Sequence, residues 1–82
     1  MSIEWMKAQA EKAMRDQVER AIATSRYPDG SLAQGMLEGF YMVDLINDVG
    51  LGYWRQRVEI AVTERRAELR RQHHVSLLER RA

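Results

Sequence analysis

A chain of 82 residues holds one small domain, and 13 Lys plus Arg against 12 Asp plus Glu leave a net charge of +1. That balance argues against coating a polyanion, and the absence of cysteine excludes disulfide scaffolds, thiolate metal sites and thiol nucleophiles. A hydrophobic content of 45% with one proline points to a folded, mostly helical chain. The longest uncharged stretch, 30–37, is too short to cross a bilayer, and no basic-then-apolar leader opens the sequence. A soluble, cytoplasmic, all-α domain is expected, with no membrane contact.

The +1 hides an uneven distribution. Residues 1–30 carry five basic and five acidic groups, residues 31–54 carry Glu38, Asp44 and Asp48 for a net −3, and residues 55–82 carry eight Arg against four Glu for a net +4. The middle third is thus the apolar, weakly acidic part, where a core is expected.

A first helix is expected over about 2–24, with Ser2 as its N-cap. At 100° per residue Ile3, Met6, Ala10, Ala13, Met14 and Ala21 share one face, and Glu11–Arg15–Glu19 and Lys12–Asp16–Arg20 form ladders opposite. Trp5 points among the polar positions, where it serves either as a local packing cap or as an anchor for a partner. Pro28-Asp29-Gly30 then supplies turn chemistry, with Gly30 free to take a positive φ. Ser31 and Gln34 have the spacing of a capping box.

A second helix is expected over about 31–47, with one stripe through Leu32, Met36, Phe40, Val43 and Ile46 and another through Leu37, Tyr41 and Leu45. Two stripes ask for two neighbours, so this helix is expected to be central. Gly35 and Gly39 are read as points of close helix contact, and Gly50 as the left-handed residue that ends the helix.

A third helix is expected over about 51–80. Its main stripe is Leu51, Trp54, Val58, Ala61, Val62 and Leu69, and a second line through Tyr53, Ile60, Ala67 and His74 repeats every seven residues. Such a helix is roughly 43 Å long, against a diameter of about 30 Å for a compact chain of this size, so its end overhangs the core. Leu69, Val75, Leu77 and Leu78 in that overhang call for another chain, as does the small core. A homodimer of three-helix units is the expected architecture.

Chemistry is sparse. His73 and His74 are adjacent and point about 100° apart on a helix, which is not ligand spacing. Three of the four serines fall at capping or loop positions, no carboxylate pair sits in apolar surroundings, and Gly50-x-Gly52 lacks a preceding strand. The chain reads as a non-enzyme with no cofactor and no metal. Its expected role is protein–protein interaction, as a small inhibitor or adaptor of the phage or mobile-element kind that binds a host protein as a homo-oligomer. The expected oligomer or partner contacts are Tyr53, Trp54, Ile60, Leu69, His74, Leu78 and Trp5. The rival reading is a dimeric nucleic-acid-binding regulator that uses Arg55, Arg66, Arg70 and Arg80 on the third helix. A third reading is a ligand pocket lined by Met36, Phe40 and Met42, for which no convergent polar groups are visible.

Overall fold

The computed structural model describes residues 2–81, with the side chains of 2–80. The described chain is all-helical and contains no strand: α1 (Ile3–Asp16), a π-helical turn (Gln17–Ala21), α2 (Ser31–Met42) and α3 (Asp48–Arg81). Ser2 caps α1, its hydroxyl accepting the Trp5 N–H at 3.2 Å. The buried line of this first arm is Ala10, Met14, Val18 and Ile22, spaced by four; Ala21, Ile3 and Met6 are exposed. Spacing of four drifts around a 3.6-residue helix by about 40° per step, so an ideal helix would carry Ile22 off the core. The π turn corrects this. Its hydrogen bond from the Ile22 N–H to the Gln17 carbonyl, 2.9 Å, closes an i→i+5 ring, and the wider turn brings Val18 and Ile22 back over the core.

The loop that follows is held by α3. Arg65 Nε donates to the Ser25 carbonyl at 2.9 Å, and Arg66 donates to the Pro28 carbonyl at 3.3 Å. At the start of α2 the expected Ser31–Gln34 capping box does not form. Gly30 is the N-cap, with φ at −83°, and the Asp29 carboxylate accepts from both the Ser31 N–H and the Ser31 hydroxyl. These two bonds favour the ionised carboxyl and hold Asp29 below its ordinary pKa. Gly30 has no positive φ; it is needed for closeness instead, because a Cβ there would stand 2.9 Å from Val58 Cγ1.

α2 ends at Met42, five residues before the expected stop, in a Schellman motif. The Leu45 N–H bonds the Phe40 carbonyl at 2.9 Å and the Asp44 N–H bonds the Tyr41 carbonyl at 3.1 Å. The left-handed residue is Asp44, φ 61°, not Gly50. Gly50 lies inside the first turn of α3, where its N–H donates to the Asn47 side chain at 2.8 Å. Asn47 thereby caps α3, and a capped Asn-Asp start moves that helix three residues earlier than the glycines suggested.

The core joins Ala10, Met14, Val18 and Ile22 to Ala33 and Leu37 of α2, Ile46 of the link, and Trp54, Val58 and Val62 of α3. α2 is less central than its two stripes implied. It buries Ala33 and Leu37, while Leu32 and Val43 of the expected main stripe are 66% and 62% exposed. The whole molecule is long: its radius of gyration is 16.2 Å and its extents are 59 × 21 × 15 Å, where a compact chain of this length would have a radius near 12 Å. The 34 residues of α3 account for it, spanning about 51 Å.

Candidate interaction surface

α3 presents three sides. The first faces the core through Trp54, Val58 and Val62, and Arg65 continues this line where the helix leaves α1 and reaches the loop carbonyl. The second meets α2, where Arg55 pairs with Glu38 at 3.8 Å. The third, about 200° around from the core line, carries Val49, Tyr53, Ile60, Ala67, His74 and Leu78. Of these, Val49 is 82%, Tyr53 53%, Ile60 41% and Leu78 52% exposed. Past Leu69, every residue from Arg70 to Arg80 is exposed, so the last eleven described side chains form an arm with nothing against it.

The structure separates the expected contact residues into two groups. Tyr53, Ile60 and His74 lie together on the outer face, as their seven-residue spacing implied, and Leu78, four residues past His74, joins them. Trp54 does not join them. It is a core residue, 8% exposed, because its position one residue after Tyr53 turns its ring by about 100° onto the Val58 side of the helix. The two rings touch edge to face with centroids 5.0 Å apart, so Trp54 supports Tyr53 from below. Leu69 is half-buried beside Pro28 and Arg66 and belongs to the flank of the core. Trp5, half-exposed, sits on α1 and shares no helix face with the others.

The arginines divide in the same way. Arg55 and Arg66 are engaged inside the chain, the first by Glu38 and the second by the Pro28 carbonyl, and Arg70 and Arg80 are exposed on the arm. Four arginines on one side of a helix therefore do not make one basic stripe. Met36 and Phe40 pack on the core while Met42 points outward at 82% exposure, so these three line no common pocket. Gly35 and Gly39 meet no atom within 4 Å of where a Cβ would be; they open the free side of α2 instead of seating a neighbouring helix.

Arg65 was not singled out by the sequence reading. Its side chain is 14% exposed and also pairs with Glu68 at 2.8 Å. The available signal was its register: it falls in the core line between Val62 and Leu69, where a charged residue must find a partner. A second structural contact is the Tyr41 hydroxyl donating to the Asp48 carboxylate across the α2–α3 junction. This bond, together with the charge of Asp48, raises the Tyr41 pKa above its ordinary value.

Among the described residues no helix is long and apolar enough to cross a membrane, and no group of three or more His, Asp or Glu stands close enough to hold a metal ion. No protein-family model, no curated protein and no solved structure matches the chain.

Proposed function

We propose that this chain is a non-enzymatic interaction module that works as a homodimer, paired through the outer face of α3, and that the dimer binds another protein as an inhibitor or adaptor. The observation that carries the reading is the exposure of Val49, Tyr53, Ile60 and Leu78 on the side of α3 opposite its Trp54–Val58–Val62 line, with Tyr53 and Ile60 bordering the first helical arm. Solvated helix faces are usually polar, and on this side Tyr53, Ile60, Ala67 and His74 repeat by sevens, the spacing of a helix that meets another helix. The unsupported arm beyond Leu69 extends the same face.

Light scattering over a dilution series tests the assembly. Dimers are expected in the micromolar range, and a monomer at about 100 μM would refute the reading. Burying one Ile contributes about 1.5–3 kcal/mol, and Ile60 has under half of its surface left to bury. Ile60→Asp is therefore expected to cost the dimer about 2 kcal/mol over its two copies, a weakening of roughly 30-fold or more. A chain cut after Leu69 is expected to stay folded and to associate less. Duplex DNA and RNA provide the counter-test: micromolar binding that falls steeply between about 50 and 200 mM salt would favour the nucleic-acid reading.

A further inference from the structure

Resting on that dimer, we propose that the two α3 helices run antiparallel, so that the basic arm of each chain lies along the first half of a second copy's α3 and not along another basic arm. From Tyr53 onward the outer face steps alternately by four and three residues, and between its apolar positions fall Arg57, Glu64 and Arg71. In a parallel, in-register pair each of these three would face its own like charge. Three stacked repulsions in one seam oppose that arrangement.

Antiparallel pairing removes all three. Near-full overlap of the two helices sets Tyr53 against the partner's Leu78, Arg57 against the partner's His74, Ile60 against the partner's Arg71 and Glu64 against the partner's Ala67. The stem of Arg71 then lies on Ile60, and its guanidinium comes within one helical turn of Glu64. The two-fold axis repeats the contact. The charge along α3 favours the same orientation: residues 48–64 are net −1 and residues 65–81 net +4, and antiparallel packing keeps the two +4 halves apart where parallel packing stacks one on the other. Each arm also gains a supported surface, since residues 51–62 of the partner are backed by its core.

The chain has no cysteine, so introduced ones report unambiguously. Tyr53→Cys and Leu78→Cys replace exposed side chains and leave the core intact. Oxidised as a mixture, the two variants are expected to form a mixed disulfide dimer, while neither does so alone. Self-linked dimers of each single variant overturn the antiparallel arrangement, as does a mixture that light scattering shows to be dimeric but that yields no mixed disulfide. A mixture that stays monomeric in light scattering refutes the dimer itself, a distinct result. A charge exchange gives an independent readout: Glu64→Arg is expected to weaken the dimer about tenfold, and adding Arg71→Glu to restore it. Failure of the exchange to restore affinity counts against the register.

Discussion

Gly35 and Gly39 offer the sharpest test of the fold. Both lie inside α2, neither has a positive φ, and a Cβ built on either meets nothing within 4 Å. Replacing each by Ala thus adds no clash and no packing, and what remains is the helix propensity difference of about 0.8–1.0 kcal/mol per site. The sites are one turn apart and couple weakly, so Gly35→Ala/Gly39→Ala is expected to gain about 2 kcal/mol. With an unfolding entropy of about 2.1 cal/mol/K per residue, this length of chain changes its Tm by about 6 °C per kcal/mol, giving a rise of about 12 °C. Circular dichroism melts at one fixed protein concentration provide the measurement, because dimerisation shifts Tm by mass action. Gly30→Ala is the matched control with the opposite sign. Its Cβ would press on Val58, a stiff β-branched side chain that is 1% exposed, and a loss of about 1–3 kcal/mol is expected. An unchanged or lowered Tm for the double variant would refute the open face and show that something packs on α2 in solution.

Three further outcomes follow from single contacts. Arg65→Ala strands the Ser25 carbonyl and removes a charged donor, so a loss of about 1.5–3 kcal/mol is expected in urea unfolding, with a smaller loss for Arg66→Ala, whose bond is longer at 3.3 Å. Asp44→Gly relieves a left-handed residue at φ 61° and is expected to raise stability by about 0.5–1 kcal/mol in the same assay. The Tyr41 pKa is raised in the folded chain, so the bond to Asp48 contributes in full below the ordinary phenol value of 10.0 and is lost as pH rises through the folded value. The stability difference between the native chain and Tyr41→Phe is accordingly expected at about pH 8 and should shrink as pH is raised past the ordinary phenol range; a difference independent of pH would show that the hydroxyl–carboxylate bond is not its source.

Three helices, their order and most of α3's two-sided character were legible in the sequence, because periodicity survives wherever a helix is regular. The misses cluster where a helix is irregular or ends. Ala21 was placed on the core face by a uniform 100° step, and the π turn at Gln17–Ala21 gives that place to Val18 and Ile22. Glycine usually fills the left-handed position, which makes Gly50 the expected stop, yet Asp44 fills it, and a side-chain oxygen from Asn47 starts α3 just before Gly50. The glycine pair of α2 carries no packing information in one dimension; whether a small residue faces a neighbour or empty space is decided by the other helices. Trp54 illustrates the same limit at the interface, where one residue's shift separates core from surface.

The length of α3 links these points to function. A helix grows by adding one hydrogen bond per residue to an existing end, so the arm beyond Leu69 inherits its nucleus from the packed half. Its own side chains give it little else. In the arm the core-facing line turns polar at Gln72 and Ser76, and Leu77 points away from the side that Val75 and Leu78 share. No single neighbour could cover all three, so the arm is not a misplaced piece of a monomer core. What does persist along the full helix is the outer line ending in Leu78 and the change from a net −1 half over 48–64 to a net +4 half over 65–81. Those two features ask for the same partner: another helix of equal length whose charges run the other way, which a second copy of α3 provides when reversed.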